Sequence, residues 1–223
     1  MTAKYVLAMT GASGAIYGVR LLERLLEADC AVDLVISPAA AAVIQQELQL
    51  AVDLDHFDVE QLLPAISDTH VPVLQAVFGV GWTPRTMRHS IGGQGACVYH
   101  HYRDLMAPIA SGSSRTSGMV VCPCSGGTLS AIAHGASENL IHRAADVHLK
   151  ERRKLIVVPR ETPLSLIQLD NMRRLAEAGA ILMPAMPGFY HGVQTLADLV
   201  DFVVSRILYQ LGVEHRLMRR WGE

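Results

Sequence analysis

The sequence lacks any apolar run of the ~18–20 residues that a membrane-spanning helix requires. Its nearest candidate, LADLVDFVVSRILYQL, is interrupted by Asp198, Asp201 and Arg206. No basic leader with an apolar core opens the chain, so the expectation is a cytoplasmic protein without membrane association. An excess of one charge is missing too: 19 Lys and Arg stand against 21 Asp and Glu, a net charge of −2. That balance argues against a nucleic-acid binder, whose affinity would come from many phosphate-neutralising contacts. Cysteine is scarce. Cys30, Cys97, Cys122 and Cys124 make no disulfide framework in a chain of this kind. Cys122-Pro-Cys124 has neither zinc-ligand spacing nor a second pair to complete a site. The 10 histidines are scattered, so no metal site is expected. Aromatic residues are only 5% although half of the chain is hydrophobic, an apolar balance that subunit interfaces would absorb.

Also absent is the dinucleotide fingerprint G-x-G-x-x-G. In YVLAMTGASGAIYG the glycines are Gly11, Gly14 and Gly18, spaced G-x-x-G-x-x-x-G. A nicotinamide dehydrogenase is therefore disfavoured. Two readings remain for this loop: backbone N–H groups approaching some other phosphate-bearing ligand at a helix N-terminus, or a tight turn with no ligand.

What is present is an alternation of apolar β-type runs with amphipathic helical runs. Strands are expected at Lys4 to Thr10, Ala31 to Ser37, Gly118 to Cys124, Leu155 to Pro159 and Ala180 to Pro184. Helices are expected at Ala15 to Ala28, Pro38 to Gln49, through Arg153 after the third long strand, Leu166 to Ala178, and Leu196 to Leu211. Continuous rather than alternating strands such as MVVC and LIVV imply burial on both faces, hence a parallel sheet covered by helices. The fold class is α/β: a three-layer, doubly wound, Rossmann-like or flavodoxin-like, mainly parallel sheet. Residues 1–223 read as one domain, with an irregular insertion or lid around 52–103 holding at most one short strand near ACVYH.

Ligands of such sheets bind beyond the carboxyl ends of the strands. Those positions carry Thr10 to Gly14, Ser37, Ser125 and Thr128, Arg160 and Glu161, and Gly188 to Tyr190, a set suited to a phosphorylated, partly planar ligand. On the helix NLIHRAADVHLKERR, Arg143 and Lys150 project from one side, as an ordinary charged face or as part of a phosphate site. Arg160 would join them if it points into the same crevice. Arg206, in an apolar stretch, is expected to be buried and to need an anionic partner. Glu161 is either a salt-bridge partner or a group that moves protons.

The segments MTGASGAIYG, VISPAA, PIASGSS, VVCPCSGGTLSAIAHG, NLIHRAADVHLKERRKLIVVPRE, MPAMPGFY and LMRRWGE together resemble the flavin prenyltransferases of the UbiX type. The resemblance implies a flavoprotein that attaches the dimethylallyl group of dimethylallyl phosphate to reduced FMN, at N5 and then C6, without a metal. It further implies a homododecamer whose prenylated FMN serves a UbiD-type decarboxylase. Carried over by position, Gly11, Ala12, Ser13, Ser37, Ser125, Thr128 and Arg160 bind FMN. Ser111, Gly112, Arg143, Lys150, Arg160, Tyr190 and Arg206 grip the allylic phosphate. Ser13, Glu47, Lys150, Glu161 and Tyr190 serve catalysis, and Trp221 flanks the prenyl group. Leu105 stands where many members carry an aromatic residue. The alternatives are an inactive FMN carrier and an FMN-dependent cysteine decarboxylase, the latter disfavoured because PAMPGFYH replaces the P-x-M-N-x-x-M-W signature of that branch.

Overall fold

Uninterrupted apolar strands have two faces to bury, and a sheet between two helical layers buries both. The computed structural model describes residues 2–64, 72–78 and 96–218. The strands are β1 (Lys4–Met9), β2 (Ala31–Ile36), β3 (Cys97–Tyr99), β4 (Gly118–Cys124), β5 (Leu155–Pro159) and β6 (Ile181–Leu182). They form one six-stranded sheet in the order β3-β2-β1-β4-β5-β6, and every pairing is parallel. The helices are α1 (Ala15–Glu27), α2 (Pro38–Leu48), α3 (Pro72–Phe78), α4 (Gly126–Ala133), α5 (Leu140–Lys150), α6 (Leu166–Glu177) and α7 (Leu196–Leu211).

Side chains alternate across a strand, so β1 feeds both cores. Tyr5, Leu7 and Met9 pack with Leu21, Leu22 and Leu25 of α1 and with Val203, Val204 and Ile207 of α7. Val6 and Ala8 face the other way, toward Leu129 of α4, Leu140 and Ala144 of α5, and Leu175 of α6. Three layers result, as expected. Helix starts are fixed by side-chain caps: Ser37 accepts from the Ala40 N–H, Ser125 from Thr128 and Asn139 from His142, while Ser165 and Thr195 form capping boxes with Gln168 and Asp198.

The differences from expectation lie in the connections. The helical stretches expected through Arg153 are two helices whose division was not specified, separated where Gly135 takes φ 69° and Asn139 caps a new start. The last strand is only Ile181–Leu182, although the Met183 and Ala185 N–H groups still donate to the Val157 and Pro159 carbonyls of β5 at 2.9 and 3.0 Å. Within 52–103, β3 coincides with the strand expected near ACVYH, but α3 and a 3-10 turn at Val59–Gln61 were not foreseen. Residues 65–71 and 79–95 of that segment, Trp82 among them, lie outside the described residues. Among those described, no helix is long and apolar enough to cross a membrane.

The chain leaves β1 toward β2 and leaves β4 toward β5, so the sheet reverses its winding between two adjacent strands. A crevice opens above their carboxyl ends. Thr10 spans it: its hydroxyl donates to the Pro123 carbonyl (2.8 Å) and accepts from the Ser125 N–H (2.8 Å). At 2% exposure Thr10 is a strut between the two strand ends rather than a ligand contact.

Candidate active site

The glycine spacing that departs from the dinucleotide pattern has mostly a packing origin. A Cβ on Gly18 would stand 2.5 Å from the Cys122 carbonyl oxygen, and one on Gly11 2.5 Å from the Ala39 Cβ. These two glycines let α1 lie close on β4 and let the loop abut α2. Gly14 alone needs the left-handed region, at φ 97° just before α1. The α1 N-terminus is then occupied from within the chain. Glu47, near the end of α2, accepts from the Gly14 N–H (2.9 Å) and the Ala15 N–H (2.9 Å), a carboxylate placed on the positive end of the helix dipole.

Beside this pair lies a cavity of about 350 Å³ whose walls include Ser13, Tyr17, Glu47 and Arg160. The Arg160 Nε donates to the Ser13 carbonyl (3.2 Å), tying the end of β5 to the loop after β1. Val73 and Val77 of α3 close the cavity with apolar surface. Helix α3 is held there by Leu74, which is 1% exposed, and by Phe78 under the Arg20 guanidinium at 4.7 Å. Arg20 is itself fixed by Asp201 (2.7 and 2.8 Å) and Glu23 (2.8 Å). Burial pushes the Tyr17 hydroxyl pKa up, so it stays a protonated donor. Sequence reading missed Tyr17, Val73 and Val77. Helical spacing does not point to Tyr17, because Ser13 lies ahead of α1 and Gly14 between them is left-handed.

The expected FMN residues occupy the same edge of the sheet. Ser37 follows β2, while Ser125 and Thr128 follow β4, with the Ser125 hydroxyl donating to Thr128 Oγ1 at 3.1 Å. The site for a Cβ on Gly127 has nothing within 4 Å, so space opens above the first turn of α4. Ala12 is buried, and its N–H is bonded to the Thr10 carbonyl at 2.8 Å. Hydroxyls and glycines at two capped helix starts, with a cation and apolar walls beside them, fit a phosphate-bearing planar group.

Glu161 and Arg160 share a smaller recess with Thr162, Leu164, Met172 and Met186. Of the two readings for Glu161, the Arg160 salt bridge is not formed. Its carboxylate accepts instead from the Thr162 N–H (3.2 Å) and the Gln168 amide (3.4 Å).

The expected phosphate residues divide into two groups. Arg143 and Lys150 reach the same segment, as their spacing implies: the Arg143 Nε donates to the Ala110 carbonyl (3.0 Å), and a Cβ on Gly112 would stand 2.9 Å from the Lys150 Nζ. Arg143 also pairs with Asp146 (2.9 Å), and Lys150 with Glu151 (2.6 Å), which holds the Glu151 carboxyl below its usual range. Ser111 and Gly112 complete this group, with the Ser111 hydroxyl 2.9 Å from that of Ser113. Arg160 does not join it. Lys150 ends α5 shortly before β5 begins, whereas Arg160 follows β5, so about 17 Å of strand at ~3.3 Å per residue separates them.

Arg206 requires a correction as well. It is exposed on α7 with its guanidinium 5.9 Å from the Tyr209 ring centre, because one residue of helix turns it about 100° away from its buried neighbours Ser205 and Ile207. Tyr190 is 65% exposed, its ring edge-on to Phe202 at 5.7 Å. Helix α7 lies in the layer opposite α5, so neither Arg206 nor Phe202 shares a face of the sheet with Lys150. Trp221 lies outside the described residues.

Comparison with known proteins agrees with this geometry. A family model described as Flavoprotein matches residues 2–208. The flavin prenyltransferase UbiX of Pseudomonas aeruginosa is 47% identical over 220 residues, which cover 99% of this chain and 94% of that protein. The crystal structure of AnUbiX (PadA1) in complex with FMN and dimethylallyl pyrophosphate superposes with a TM-score of 0.77 at 35% identity, covering 100% of this chain and 99% of that one. A dodecameric FMN-dependent UbiX-like decarboxylase from Escherichia coli O157:H7 gives a TM-score of 0.78 at 39% identity over 99% of this chain and all of that one. With the full length matched, the chain belongs to the flavoprotein family and, within it, to the UbiX-type flavin prenyltransferases.

Proposed function

We propose that the protein transfers the dimethylallyl group of dimethylallyl phosphate to reduced FMN, at N5 and then C6. The observation that carries this reading is the cavity where Ser13, Glu47 and Arg160 meet apolar walls at the winding reversal of the sheet, in a chain alike over its whole length to a structure holding FMN and dimethylallyl pyrophosphate. Reduced flavin, when bound, supplies the nucleophilic atoms. The chain's task is to bind it through Gly11, Ala12, Ser13, Ser37, Ser125, Thr128 and Arg160, and to ionise the allylic phosphate beside it.

Ionisation leaves negative charge on phosphate and positive charge on the prenyl carbons. Ser111, Gly112, Arg143 and Lys150 would hold the phosphate from one edge of a subunit. Arg160, Tyr190 and Arg206 would close it from another subunit, since they do not reach the first group within one chain. Exposed apolar side chains, Met106 at 92%, Leu166 at 82% and Phe189 at 69%, supply the surface for such an assembly, and we read it as a dodecamer like that of the E. coli relative. Cations then do the work for which other prenyl transfers employ a metal ion. Trp221 would flank the prenyl group; Leu105, half-exposed, leaves one wall without the aromatic face of other members. Glu47 and Glu161 serve proton movement, and the product passes to a UbiD-type decarboxylase. Incubation with reduced FMN and dimethylallyl phosphate should add one prenyl unit to the extracted flavin by mass spectrometry. An unchanged flavin mass would overturn the reading.

A further inference from the structure

We infer that Arg153 is a positioning residue that sets the shape of the phosphate-binding loop, with His148 as its second anchor; this rests on the reading that Ser111, Gly112 and Lys150 hold the allylic phosphate. The loop from Ser111 to Thr116 has little regular structure of its own. Its carbonyls are gathered by one side chain: the Arg153 guanidinium donates through Nη2 to the Gly112 carbonyl at 2.5 Å and through Nη1 to the Ser114 carbonyl. A trans peptide points its N–H opposite to its C=O. Fixing the carbonyls of residues 112 and 114 on the guanidinium therefore turns the N–H groups of Ser113 and Arg115 away from it, and that of Ser113 donates to the Ser111 hydroxyl at 3.3 Å, which fixes a group of the proposed phosphate site.

The far end of the loop is anchored by a buried histidine. His148 is 1% exposed, with Nδ1 2.7 Å from the Ala144 carbonyl and Nε2 2.8 Å from the Thr116 hydroxyl. A carbonyl can only accept, so Nδ1 carries the hydrogen and neutral Nε2 accepts from Thr116. The Arg153 N–H donates to the His148 carbonyl at 2.8 Å, so both anchors belong to one rigid helix end. Lys150 lies on the same turn. The helix that supplies the cation thus also sets the backbone facing it, and neither anchor needs to touch the phosphate.

The test uses the full-length, FMN-loaded protein and four variants: Arg153→Met, Arg153→Lys, Thr116→Val and, as comparator, Lys150→Met. Binding of dimethylallyl phosphate is measured by calorimetry, alongside KM, kcat, FMN affinity and Tm. For Arg153→Met the expected result is a roughly 10- to 100-fold rise in both KM and the dissociation constant for dimethylallyl phosphate, as for loss of charge-assisted hydrogen bonds. FMN affinity and kcat at saturation should be retained. Arg153→Lys should recover part of the loss, since an ammonium can hold one carbonyl, and Thr116→Val should raise KM several-fold. If Arg153→Met does not fold, Arg153→Lys and Thr116→Val decide by the same readouts. The inference is overturned if the dissociation constant for dimethylallyl phosphate stays at the wild-type value in the Arg153 and Thr116 variants while Lys150→Met raises it. If Lys150→Met leaves that constant unmoved as well, the phosphate reading itself has failed.

Discussion

Glu47 and Glu161 are carboxylates at one edge of the sheet with different surroundings, and their substitution should give different results. Glu47 satisfies two N–H groups at the start of α1 and lines the cavity. Glu47→Gln removes the charge from the helix dipole and is expected to cost about 0.5–2 kcal/mol. For a chain of this size that is a Tm lower by roughly 1–8 °C, measurable by calorimetry. Glu161 has no ion pair with Arg160 to lose, since its bonds go to Thr162 and Gln168. Glu161→Gln should therefore leave KM for dimethylallyl phosphate near its original value and lower turnover by roughly 10²–10⁴-fold, the usual worth of an acid–base group. Single-turnover kinetics at saturating dimethylallyl phosphate would refute this by showing a normal rate. Sequence reading placed Ser13 and Arg160 at strand ends from pattern alone. Glu47 was accessible only through resemblance, because no spacing rule links it to a loop 33 residues away. Arg206 was misread for a related reason: apolar neighbours in sequence do not share its direction on a helix.

At the scale of elements, the strands were legible wherever both faces are buried, because a run such as MVVC has one physical explanation in a domain of this size. The starts of α2, α6 and α7 were legible from the change of period, whereas the start of α5 behind its Asn139 cap was not foreseen. Helix α3 was not, since its seven residues are too few to show a period and its place depends on Arg20 and Phe78 from distant sequence. The interior of α5 carries a property that no pattern displays. Burial lowers the pKa of His148 and His142 below the ordinary histidine value of 6.5. Between the folded and unfolded values the unfolded chain binds more protons. The stability contributed by the neutral rings is therefore complete above about pH 6.5 and is lost as pH falls below it, levelling once the folded-state pKa is passed. Denaturation midpoints should fall as the pH is lowered from 7 toward 5, and His148→Asn should flatten part of that slope. An unaltered slope would show that His148 binds protons equally in the folded and unfolded chains.

At the scale of the whole molecule, the division of the phosphate residues between opposite edges of the sheet has a direct consequence. A strand of five residues holds Lys150 and Arg160 apart in every copy, and no side-chain rotation closes that gap. If both serve one phosphate, the complete site must be composite, and two defective subunits should repair each other. Lys150→Met and Arg160→Met proteins, each assembled alone, would be inactive because every site lacks one cation. Co-expressed at equal amounts and assembled together, they would rebuild sites that draw an intact Lys150 from one subunit and an intact Arg160 from the other. Independent choice of the two contributors gives up to about a quarter of wild-type sites. Prenylated flavin should then accumulate in the mixed assembly and be absent from a mixture of the two homogeneous assemblies that cannot exchange subunits. Equal inactivity of the co-assembled protein would mean that the two cations act in separate sites, and that phosphate is held by the α5 edge alone.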